Sequence, residues 1–85
     1  MMYKSVAEPI DAYVVYKRGA KHPILKAFHW RTRRFDVTSI NLVYEERKGE
    51  TLFLYYAVSS GQNQFQLRLN TTRCLWTLEA IYVEE

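Results

Sequence analysis

The sequence predicts an all-β domain, an antiparallel meander of about six strands forming a curled sheet or a small barrel. Three observations carry this. Apolar and polar residues alternate with a period of two through most of the 85 residues. Polar clusters holding Gly or Pro interrupt the alternation at short, regular spacing. No segment sustains a period of 3.6, although Leu75, Leu78 and Glu79 leave room for one short helical turn near the end.

The first expected strand covers residues 10–17, where Ile10, Ala12, Val14 and Tyr16 alternate with Asp11, Tyr13, Val15 and Lys17. Gly19 and Pro23 end it within a basic loop, one by freeing φ and the other by removing a backbone donor. The second strand, residues 25–31, is expected to turn Phe28 and Trp30 inward and Leu25, Ala27 and His29 outward. Thr32-Arg33 makes the expected tip of a hairpin, and the third strand begins with Phe35 and Val37. After Thr38-Ser39 the apolar set shifts parity to Ile40, Leu42 and Tyr44, which a straight strand cannot bury on the same face. A bulge or sharp bend near Ser39 reconciles the two sets and lets the sheet curl.

Residues 51–58 are almost wholly apolar, the pattern of a strand covered on both faces or covered outside by a partner. Gln64 to Leu69 alternates cleanly, with Phe65, Leu67 and Leu69 inward. In the last run, residues 74–83, Trp76 and Leu78 share one face, and the parity shifts near Glu79-Ala80. These runs form one domain, residues 1–85, with an ordered core over about 9–83. A chain of this length buries only about 60–65 per cent of its unfolded surface, so a second core does not fit.

Thirteen aromatic residues, seven of them Tyr, provide large side chains for that core and argue against disorder. The single cysteine, Cys74, excludes an internal disulfide and a multi-thiolate zinc site; beside Leu75 and Trp76 it reads as a small buried hydrophobe. A reducing, cytoplasmic setting is expected, and no window has the apolar length of a signal peptide or a membrane span. His22 and His29 lack carboxylates at metal spacing, and the three glycines are isolated, so no metal, cofactor or phosphate-cradling loop is expected. The expectation is therefore a chain without catalytic residues.

Two binding surfaces are candidates. Residues 1–40 carry eight basic and three acidic side chains, against four and six in the remainder, so an anionic partner is drawn to the first half. Small β domains bind single-stranded nucleic acid by pairing positive charge with exposed rings. The basic hairpin 26–36 offers Lys26, Arg31, Arg33 and Arg34 for phosphates, with Tyr13, His29 or Tyr55 for stacking. The other surface belongs to the two-faced strand, where Phe53 and Tyr55 point away from Leu52, Leu54, Tyr56 and Val58. Apolar surface in excess of one small core marks an interface with a protein partner or a second copy. This protein-interaction or self-associating module is the preferred expectation, and nucleic-acid binding the alternative.

The skeleton Pro9-Ile10, Phe28-x-Trp30, Arg34-Phe35-x-Val37-x-x-Ile40, Tyr56-x-Val58, Phe65-x-Leu67 and Trp76-x-Leu78-x-x-Ile81 resembles that of small bacterial domains of unknown function. The resemblance covers about residues 9–82 and consists of hydrophobic anchors. It implies a stand-alone bacterial β domain and transfers no functional residue.

Overall fold

The computed structural model describes residues 2–83, all of whose regular structure is strand. Seven strands form one antiparallel sheet: β1 (Met2–Val15), β2 (Ile24–Trp30), β3 (Arg33–Asp36), β4 (Ser39–Lys48), β5 (Thr51–Ser60), β6 (Asn63–Asn70) and β7 (Leu75–Val83). Their order across the sheet is β3-β2-β1-β7-β6-β5-β4, a meander joined end to start by the pairing of β1 with β7. The sheet curls but does not close into a barrel. The last run is strand rather than helix, and no helix among the described residues is long and apolar enough to cross a membrane.

The expected third strand is two strands. Between Asp36 and Ser39 the chain leaves one edge of the sheet and enters the opposite edge. Successive amides there serve opposite margins: Val37 N–H donates to the Lys26 carbonyl of β2, and Thr38 N–H donates to the Ser59 carbonyl of β5. The parity shift in the sequence therefore marks a change of edge. A bulge at Asn41 adds a second shift, because Ile40 faces Val58 while Leu42 faces Ala57. As a result Ile40 and Val43 pack on the core, whereas Leu42 and Tyr44, expected inside, lie on the outer face.

β1 is longer than the expected 10–17 strand because residues 2–10 form its ladder with β7 and its last five residues pair with β2. It ends at Val15, leaving Tyr16 exposed. Bulges at Val6-Ala7, Lys26 and Glu79 bend the sheet around this strand. The one at Lys26 turns Leu25 to the core, contrary to simple alternation, while Phe28 stays buried. The shift expected near Glu79-Ala80 is present, and it allows Trp76, Leu78 and Ile81 to line one side.

The core fills the concave side. Phe28, Phe35 and Phe65, from β2, β3 and β6, meet with ring centroids 5.0–5.4 Å apart. Tyr56 packs against Trp76 at 5.0 Å, and its hydroxyl donates to the Pro23 carbonyl at 2.7 Å, tying the β1–β2 loop to β5. Burial, with a smaller effect of Tyr16, pushes the Tyr56 phenol up to about 12. The two indoles are not equivalent: Trp76 is 8% exposed, whereas Trp30 is only partly buried at the rim.

Trp76→Ala is expected to cost about 3–5 kcal/mol, the range for truncating a buried large aromatic. Trp30→Ala is expected to cost about 1–3 kcal/mol, since its ring is part-solvated. Urea denaturation of both variants checks the order; equal losses would mean that the rim indole is a full core member. Tyr56→Phe keeps the ring and deletes one hydrogen bond, and should lower stability by about 0.5–1.5 kcal/mol. Amide exchange in residues 20–24 should quicken in the same variant, and unchanged protection there would detach the loop from this bond.

Candidate functional site: the outer face of the sheet

The convex face carries a row of tyrosines that alternation in four strands places side by side. Tyr44 of β4 is paired with Tyr55 of β5 across the ladder, and their rings stack at 4.9 Å, inclined by 8°. Gln66 of β6 comes next, its amide oxygen accepting from the Tyr82 hydroxyl of β7 at 3.3 Å. Tyr3 of β1 meets Tyr82 edge to face at 5.3 Å. Four rings and one amide thus cross the sheet from edge to interior. Burial, with the charges of Tyr55, Glu46 and Tyr82, raises the Tyr44 phenol above 10.0, opposed in part by its contact with the Gln66 amide.

The sequence placed this surface on Phe53 and Tyr55, and both do lie on the outer face. Tyr55 is 7% exposed because Tyr44 covers it, and its hydroxyl donates to Glu46 Oε1 at 3.2 Å. Phe53 lies beneath the Arg68 guanidinium, 5.0 Å away, and the Lys48 ammonium, 5.8 Å away. The accessible apolar groups are instead Leu42 (56%), Tyr44 (41%) and Tyr3 (58%). Alternation within 42–44 misassigned two of them because the Asn41 bulge carries no sequence mark; Tyr3 falls before the expected first strand.

At the margin of this face, β4 is an edge strand of ten residues. Its ladder with β5 uses one side of its backbone; among the described residues no backbone group pairs with the other. Side chains do approach it, since His22 Nε2 lies 2.9 Å and Lys21 Nζ 3.8 Å from Glu45 Oε2. The His22 hydrogen bond is the main reason the Glu45 carboxyl titrates below 4.5.

The basic hairpin is divided between faces. Arg34, His29 and Tyr13 cluster outside, with the Tyr13 and His29 centroids 5.6 Å apart and Arg34 Cζ 5.1 Å from the Tyr13 ring. Arg33 lies on the opposite face over Phe35, at 4.9 Å, and Lys26 occupies a bulge. Arg31 is bound to Glu8 at 3.3 Å and Arg34 to Asp36 at 2.9 Å, so two of the four candidate phosphate ligands already hold carboxylates. The hairpin tip is Arg31-Thr32, one residue earlier than expected, with Arg31 at φ 60°. Cys74 is exposed in the turn before β7 rather than buried, and Leu75 beside it is exposed too. No group of three His, Cys, Asp or Glu side chains among the described residues is arranged to hold a metal ion.

No family model, curated protein or solved structure matches the chain. The expected likeness of the hydrophobic skeleton to small bacterial domains thus finds no match among them.

The Glu8 carboxylate accepts from the Trp30 indole at 3.0 Å and from Arg31, and these bonds, the indole's first, hold it below 4.5. Its stabilising contribution is complete above the unfolded carboxyl value and is lost as the pH falls through the lowered folded one. Glu8→Gln should therefore lower the urea midpoint at pH 7 and leave a smaller deficit at pH 3. An equal deficit at both pH values would show that charge plays no part.

Proposed function

We propose that this chain is a non-enzymatic protein-interaction module that associates with its own kind through the β4 edge and the adjoining tyrosine face. The observation that carries this reading is the coincidence of two features on one strand: a backbone edge without a partner among the described residues, and exposed Leu42 and Tyr44 beside it on the outer face. An unpaired edge is a template for another strand, and adding one supplies main-chain hydrogen bonds while side chains of alternate positions set selectivity. Tyr is enriched at the centres of interfaces because it brings apolar area and a hydroxyl with few rotatable bonds. Tyr44 and the half-buried Tyr82 fit that description, Leu42 adds exposed apolar area beside them, and the neighbouring Glu46 and Lys48, 3.4 Å apart, form a charged border.

The bulge at Asn41 limits pairing to the stretch from Leu42 onward, and Gly49 in the following turn limits it at the other end. Antiparallel pairing of two copies over this stretch keeps the outer faces of both sheets on the same side, so the two tyrosine rows become continuous. The reading needs no change in the fold.

Sedimentation velocity over micromolar to millimolar protein should show mass rising toward twice that of the monomer. Leu42→Lys, at an exposed position, should weaken association at least about tenfold with less than about 1 kcal/mol change in folding stability. Tyr44→Ser should weaken it as much and cost about 0.5–1.5 kcal/mol more in folding stability, because it also removes the stack on Tyr55. A chain that stays monomeric throughout, or variants that associate as the parent does, would refute self-association.

A further inference from the structure

A second surface, away from the tyrosine row, has the features of a small-molecule site. Where β1 passes from its pairing with β7 to its pairing with β2, the flanking strands diverge and leave a cleft of about 430 Å³, within the usual range for ligand pockets. Asp11, His29 and Arg31 supply its polar lining; Pro9, Leu75 and Trp76 supply the apolar part. Asp11 and His29 are direct cross-strand partners, and Arg31 follows two residues later at the hairpin tip. Among the described residues neither the Asp11 carboxylate nor the His29 ring has a hydrogen-bonding partner, although His29 packs against Tyr13. Arg31 gives one amino group to Glu8 and lies over the Trp30 ring at 4.7 Å, and its other guanidinium N–H groups have no acceptor among the described residues.

Backbone strain gathers at the same place. Outside glycine, the described residues with positive φ are Ala7, Arg31 and Cys74. Arg31 lines the cleft, Cys74 precedes its Leu75 wall, and Ala7 precedes the Glu8 that holds Arg31. Side chains avoid this conformation, and its concentration around binding sites is a general property of proteins. A second hollow, of about 140 Å³ and lined by Lys4, Val6, Glu8 and Trp30, shares Arg31 with the cleft. A glycine at the tip would remove the strain there but would offer no donor to either recess.

From this arrangement we infer that the cleft binds a small carboxylic acid bearing an amine next to the carboxylate. Arg31 and His29 take the carboxylate, since a guanidinium fork and an imidazole N–H both donate to its oxygens. Asp11, facing His29 across one strand spacing, accepts from the ammonium group. Leu75 and Pro9 cover the ligand's carbon skeleton. The inference does not depend on self-association, because none of these residues belongs to β4 or the tyrosine row.

The test is a nuclear magnetic resonance titration of the full chain with L-alanine, acetate and ethylamine as probes. L-Alanine should give saturable shifts at His29, Arg31 and Asp11 in the millimolar range, with acetate and ethylamine each at least about tenfold weaker. Asp11→Asn should weaken L-alanine about tenfold and leave acetate unchanged. Arg31→Gly, which relieves the positive φ, should keep a folded spectrum and lose the response to both. Absence of saturation with L-alanine, equal affinity for all three probes, or binding retained in Arg31→Gly would each overturn the assignment.

Discussion

Val37 and Thr38 alone join a strand at one edge of a seven-stranded sheet to a strand at the other. Laid flat, seven strands would set those edges about 29 Å apart, from six spacings of about 4.8 Å. The path from Asp36 to Ser39 covers three residue steps and reaches at most about 11 Å. The sheet must therefore curl until its margins meet at that corner, and the rest of the fold accommodates this covalent limit. Thr38 pins the corner, its hydroxyl donating to the Ser59 carbonyl at 3.1 Å and accepting from the Gly61 amide at 3.2 Å.

Curling brings the two arms of the sheet face to face, and this is how a chain with no helix acquires a core. Phe28 and Phe35 on one arm reach Phe65 on the other, and the loop before β2 reaches across to Tyr56. The bulges at Val6-Ala7, Lys26, Asn41 and Glu79 concentrate the bending. Both surfaces argued for function arise from the same geometry. Margins that meet only at one corner leave most of β4 without a neighbour, and divergence around β1 opens the cleft beside Arg31.

The strand content was legible because period-two alternation survives in runs between the bulges, and Gln64 to Leu69 shows it without interruption. Phe28, Phe65 and Trp76 were recognisable as core for the same reason. The parity break at Thr38-Ser39 was visible as a bend, but a change of edge looks identical to a bulge when only the order of residues is known. Asn41 and Lys26 were opaque: a bulge inserts one residue without demanding Gly or Pro, so the assignments on one side of it invert. This moved Leu42 and Tyr44 out and Leu25 in. Charge was readable as composition only, since the partners Glu8 and Asp36 that occupy Arg31 and Arg34 depend on register and geometry.

The pairing of β1 with β7 joins Met2 to Val83 and Ile10 to Trp76, whereas the other ladders join strands that follow one another in the chain. Five hairpins can form from local encounters, each closing a short loop. The seam between first and last strands must wait for a search through nearly the whole polymer, and such distant matches slow the approach to the native state. Because β1 then also spans both arms, its arrival on β7 completes the hydrogen-bonded continuity of the sheet. Among the described strands β7 is made last, so the sheet stays open along β1 until that strand has emerged.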